Sequence, residues 1–152
     1  MRYLFVLFFY GLCTCSLFAL TPFSLESLKE VNVTLLDKQN LVSKPSLAMI
    51  KTEVEKKLHT VGITTSTKNF SNLLIKIQKY PIKETTLVHV TLSIVENVEL
   101  KRASSINGIA ISYTKDDLFE TASLETDVKE SVLFLLNELI EQFKEENPLL
   151  GK

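Results

Sequence analysis

The most regular feature of the chain is an alternation of apolar and polar residues running from Thr86 to Arg102. Val88, Val90, Leu92, Ile94, Val98 and Leu100 fall on one side of an extended strand, and His89, Thr91, Ser93, Asn97, Glu99 and Lys101 fall on the other. A strand with one dry side needs neighbouring strands for its backbone and a helix layer for its apolar face. Glu96 sits on the apolar side by parity. A β-bulge near Glu96–Asn97, re-aiming the residues that follow, accounts for it; a functional buried acid is the alternative.

The rest of the chain supplies the neighbours. Val31, Val33 and Leu35 alternate with Asn32 and Thr34 as a first strand. The run Ser43-Lys44-Pro45-Ser46 opens a helix with Ser46 as the cap, and Leu47, Ile50, Val54, Leu58 and Val61 keep helical spacing up to a stop at Gly62. A Thr/Ser-rich connection leads into Leu73, Ile75 and Ile77, a second strand ending at Tyr80–Pro81. Lys83-Glu84-Thr85 then turns it into the long strand as an antiparallel hairpin. Beyond a turn at Ser104–Gly108, Ile109, Ile111 and Tyr113 predict another strand with its apolar side on the same layer and Asp116–Asp117 at its exit. From Leu124 to Glu146, Leu124, Val128, Val132, Leu135, Leu136, Leu139 and Phe143 form a helical stripe. Leu133 and Ile140 widen it beyond what a two-layer contact requires. Phe134 is left pointing away among Glu130, Glu138 and Glu141. The predicted fold is α+β, a two-layer βαβββα sandwich with a mainly antiparallel sheet and two helices on one face.

The first residues follow neither period. Met1–Arg2 is a positive start, Tyr3 to Leu12 is apolar, and Ser16-Leu17-Phe18-Ala19 is a small-residue exit, which together predict a signal peptide over residues 1–19. An uncleaved anchor over residues 3–20 and lipidation at Cys15 are the alternatives. The predicted organisation is then one α+β domain over residues 24–147 and a short tail over 148–152. The expected address is periplasmic, with membrane attachment only if the N-terminal segment is retained or lipidated. Cys13 and Cys15 both lie in that segment. Disulfide staples, zinc–thiolate sites and thiol chemistry are therefore excluded for the body.

Seventeen basic and 18 acidic side chains give a net charge of -1, so no global field draws the protein to nucleic acid. Catalytic constellations are absent from the sequence. His59 and His89 are the two histidines, no HExxH or GxSxG occurs, and Gly62, Gly108 and Gly151 cannot build a phosphate loop. Asp116 and Asp117 could share a proton or bind a hard cation, with His89 nearby on the polar strand face; a solvated acidic turn is the plainer reading. Arg102, the one arginine after Arg2, offers a planar fork for a carboxylate or phosphate, or else guards a strand edge. Phe134 is the candidate partner contact.

The runs Val90–Arg102, Ala110–Tyr113 and Leu135–Leu139 through Phe143 to Asn147–Pro148 resemble a strand, strand and final-helix pattern of small exported bacterial proteins of unknown function. The resemblance covers about the last half of the chain. It departs at Tyr113, where that group often carries Trp, and at Asn137, where it often carries an acid. The element order also resembles the βαβββα domains of lipopolysaccharide-assembly and transport-auxiliary lipoproteins, a likeness of fold that transfers no site. Both resemblances imply an envelope address and a non-catalytic role. The expectation is an accessory or adaptor protein, not an enzyme, that binds another cell-envelope protein and needs no cofactor. The alternative is a small-ligand or metal-binding protein, or a weak hydrolase, using Asp116, Asp117 and His89.

Overall fold

The computed structural model describes residues 25–68, 71–82, 85–99 and 106–148. The leader, its exit, Cys15, Arg102 and the tail beyond Pro148 lie outside the described residues. The chain forms β1 (Glu30–Leu36), α1 (Lys44–Thr60), β2 (Thr64–Thr65), β3 (Asn72–Ile82), β4 (Thr85–Glu99), β5 (Asn107–Glu120) and α2 (Leu124–Glu146). The fold is α+β, as the alternating and helical periods require. Its sheet runs β2-β1-β3-β4-β5 and is mixed: β1 pairs in parallel with β2 and β3, while β3, β4 and β5 are antiparallel. A parallel pair needs a crossover, and α1 supplies it between β1 and β3. The two-residue β2 falls in the stretch that reads as a plain connection, because two threonines carry no alternation to detect.

The inward residues of β4, Val88, Val90, Leu92 and Ile94, are buried together with Val31 and Val33 of β1 and Leu73, Ile75 and Ile77 of β3. Ile50, Val54 and Leu58 of α1 join the same cluster, as do Val128, Val132, Leu135, Leu136, Leu139, Ile140 and Phe143 of α2. Ile140 is thus buried. Of the two residues that widen the α2 stripe, Ile140 is used inside the core and Leu133 stays half-buried. Lys57 Nζ to Asn137 Oδ1 (3.0 Å) and Lys129 Nζ to Glu53 Oε2 (2.8 Å) bind the outer edges of the two helices.

The helix ends follow local chemistry. Ser43, not Ser46, caps α1: its hydroxyl accepts from Ser46 N, and Pro45 sits within the first turn, where its missing N–H costs nothing. At the other end Gly62 adopts φ +84° while its N–H donates to His59 O and the N–H of Ile63 to Leu58 O. This left-handed stop is the one a glycine provides without steric cost. Asp127 Oδ2 accepts from Thr121 Oγ1, Ser123 N and Ala122 N at the start of α2, bonds that hold its carboxyl below the ordinary range.

Three expectations for β5 need correction. The strand does not exit at Asp116–Asp117 but continues to Glu120, so that the two acids lie within it. The bulge does fall beside Glu96, between Ile94 and Val95, but it does not re-aim β4. It lies on β5, where Ile94 pairs with Tyr113 but Val95 pairs with Ile111, leaving Ser112 as the extra residue. Finally, Ile109 and Ile111 do not join the core with Tyr113. One inserted residue reverses the facing of everything before it. Ile109 is 77% exposed and Ile111 53%, while Tyr113 is buried. Glu96 is half-buried and accepts a hydrogen bond from Ser71 Oγ at 2.9 Å, an ordinary polar pairing.

Tyr113 packs its ring in the core, yet its hydroxyl is buried without a hydrogen-bond partner among the described residues. Desolvation, with a smaller contribution from the Glu138 carboxylate, pushes its phenol up to about 12. The unfolded chain releases that proton near the usual value of about 10. The neutral phenol therefore contributes stability that is complete below about pH 10 and is lost as pH rises toward about 12. Chemical denaturation across this range should show wild-type stability falling more steeply than that of Tyr113→Phe. The variant should also be equal to or about 1 kcal/mol above wild type at neutral pH, because no hydrogen bond is lost. Parallel curves, with Tyr113→Phe destabilised by 2 kcal/mol or more, would show the hydroxyl to be bonded.

Candidate functional site

Side chains of β3, β4 and β5 that alternate away from the core form the second face of the sheet. Near the β3–β4 hairpin this face carries Tyr80 and Ile82 of β3, Leu87 and His89 of β4, and Asp116 and Leu118 of β5. Together with Pro81 they line a shallow, open hollow of about 460 Å³. The register explains the grouping: Tyr80 pairs with Leu87, Gln78 with His89, and His89 with Leu118. At its centre His89 Nε2 lies 3.2 Å from Asp116 Oδ2, and the Tyr80 ring is tilted against the imidazole with centroids 6.3 Å apart. Leu118, 56% exposed, with Tyr80 and Ile82, forms an apolar rim around that polar pair.

The structure divides the residues that the sequence grouped. Asp116 and Asp117 are successive strand residues and so project from opposite faces. Asp116 meets His89 on the open face. Asp117 lies with Phe119, Asp127, Glu130, Ser131 and Phe134 around a separate depression between β5 and α2. The two carboxylates cannot share a proton or chelate one cation, and the joint Asp116–Asp117–His89 site does not form. Among the described residues no group of three or more His, Cys, Asp or Glu side chains is placed to hold a metal ion. Phe134 stands 57% exposed on α2, on the far side of β5 from His89. His59 is exposed on α1 and bonds with Thr65 Oγ1 at 3.1 Å.

Sequence reasoning missed Tyr80, Ile82 and Leu118 as surface residues of one patch. Leu118 was hidden by ending the strand at the acid pair. Extending the alternation through Lys115, Asp117 and Phe119 would have placed Asp116 and Leu118 with His89. Among the described residues no helix is long and apolar enough to cross a membrane.

No protein-family model matches the chain, and no curated protein matches it. Among solved structures it is similar to a minor lipoprotein from Acinetobacter baumannii, with 13% identity and a TM-score of 0.34 over 80% of this chain and 95% of that one. A likeness this loose carries no argument about the site.

The split of the acids has a direct energetic signature. In double-mutant cycles read by denaturant unfolding, His89→Ala with Asp116→Ala should show a coupling of about 0.2–1 kcal/mol, the range of an exposed pair. His89→Ala with Asp117→Ala should be additive within about 0.3 kcal/mol. Equal coupling to both aspartates would contradict the facing assigned to β5.

Proposed function

We propose that this is an exported, non-catalytic accessory protein of the bacterial cell envelope that docks another envelope protein on the open face of its sheet. The observation that carries the reading is the hollow rimmed by Tyr80, Ile82, Leu87 and Leu118, apolar surface gathered on a face whose other positions are mostly polar. Contact surfaces bury apolar area at their centre, which these side chains can supply, and a polar pair among them can fix orientation.

The position of the hollow supports the same reading. Leu25 is buried, its N–H donates to Glu146 Oε2, and Asn147 Nδ2 donates to Leu25 O (3.1 Å) and Phe143 O (2.9 Å). Ser27 N closes the clasp on Asn147 Oδ1 at 2.9 Å. The first described residues therefore sit at the C-terminal end of α2, whereas the hollow lies beside the β3–β4 hairpin, near the helix's N-terminal end. These ends are separated by roughly the length of a 23-residue helix, about 35 Å. Leu25 and the hollow thus stand at opposite ends of the domain.

A second reading rests on the His89–Asp116 pair: a small polar ligand held at the centre of the rim. Site-specific photocrosslinking in the native host separates the two. A crosslinker at Leu118 should capture one defined envelope protein, and Tyr80→Glu should abolish the capture while leaving the melting temperature within a few degrees. Capture from Phe134 but not Leu118 would move the contact to the α2 side. Absence of any capture, with a ligand-dependent rise in melting temperature lost in Asp116→Ala, would replace docking by ligand binding.

A further inference from the structure

β5 is the last strand in the sheet order, and among the described residues nothing pairs with its outer edge. It is also 14 residues long. Free edges present a row of unpaired N–H and C=O groups, and folded proteins commonly blunt them with charge, proline or cover. Here the protection is uneven. From Lys115 onward the strand carries Lys115, Asp116, Asp117 and Glu120. From Ile106 to Thr114 it reads INGIAISYT, with no charge and no proline. The Ser112 bulge lies within the uncharged stretch and turns Ile109 and Ile111 outward on it. An uncharged, apolar, proline-free edge is a template for another strand.

We infer that the Asn107–Ile111 edge pairs antiparallel with the same segment of a second copy of this chain, with Ile109 on the two-fold axis. The segment is self-complementary in that register. On the open face Ile109 meets its own mate, and Ile111 lies diagonal to it, so two copies gather four isoleucines in one cluster. Toward the core side Gly108 faces Ala110, small residues that let the backbones approach. No like charges are brought opposite one another within the pairing. The charged half of β5 beyond the bulge stays outside it, which limits the contact to a closed pair and disfavours an open stack. This contact lies at the opposite end of β5 from the Leu118 hollow and does not depend on the docking reading.

The test uses the purified full chain with Cys13→Ser and Cys15→Ser, so that any introduced cysteine is unique. Residues directly opposite in an antiparallel pair have Cα atoms about 4.5–5.5 Å apart, within disulfide range. Ile109→Cys should oxidise to a covalent dimer at least tenfold faster than Leu118→Cys. Sedimentation should show a concentration-dependent monomer–dimer equilibrium for the parent, abolished by Ile109→Lys with its circular dichroism spectrum and melting temperature retained. A parent that is monomeric at every concentration, polydisperse aggregation, equal crosslinking from both positions, or a dimer that survives Ile109→Lys would each overturn the inference. So would a monomer whose β5 edge binds only a strand from a different envelope protein.

Discussion

The pairing between β4 and β5 governs the surface of this domain, because strand side chains change face at every step. Register cannot slide by one without turning an entire strand over. On one side of the Ile94–Tyr113 pair the register serves the core, with Tyr113 and Phe119 directed to the layer that holds Val88 and Ile94. On the other side, Ser112 is inserted and the facing reverses. Ala110 and Gly108 then stand opposite Glu96 and Val98, while Ile109 and Ile111 move to the open face opposite Asn97 and Val95. The reversal is visible in residue size. Gly108 and Ala110 take the core-side positions opposite Val98 and Glu96 that an uninterrupted ladder would give to Ile109 and Ile111.

That single reversal links packing to function. It adds the isoleucines near the start of β5 to an open face that already carries the hollow at the β3–β4 hairpin, so that apolar surface stands at two separated places. Between them Ser93 Oγ and Thr114 Oγ1 bond at 2.9 Å, a polar strip that keeps the two patches distinct. The clasp of Leu25 and Ser27 on Glu146 and Asn147 ties the first described residues to the C-terminal end of α2. At the opposite end Glu125 ties the helix starts together by accepting from Ser46 Oγ and Ser43 N. Those bonds hold its carboxyl below the ordinary range, so this tie weakens as the medium turns acid.

Much of the fold was legible in the sequence because burial imposes a period. The alternation in β4 and β3, the stripe of α2 and the glycine stop after α1 each record a one-sided environment, and each is where the sequence places it. The core list derived from those periods holds for Val90, Leu92, Leu135, Leu139 and Phe143. What was not legible lies where the period carries no information. A bulge adds a residue without altering composition, and Ile109-Ala110-Ile111-Ser112-Tyr113 reads as unbroken alternation whether or not Ser112 is paired. The candidate acids suffered from the same ambiguity. Adjacent aspartates look like a pair in sequence, and only knowledge that the strand continues through them separates their faces. Tyr80, Ile82 and Leu118 come from three strands, so their proximity depends on register alone. The charge guard on β5 was, by contrast, present in the sequence throughout, but it gains meaning only once β5 is known to be an edge.

The outward facing of Ile109 and Ile111 depends on the placement of Ser112, and nuclear Overhauser contacts across β4 and β5 measure that placement directly. With the side chains assigned, cross-strand contacts should join Ile94 to Tyr113 and Val95 to Ile111, and Glu96 to Ala110, with Ser112 lacking a partner on β4. Contacts joining Val95 to Ser112 and Glu96 to Ile111 would instead describe an uninterrupted ladder. In that case Ile109 and Ile111 would face the core, and the surface assigned to β5 would be wrong.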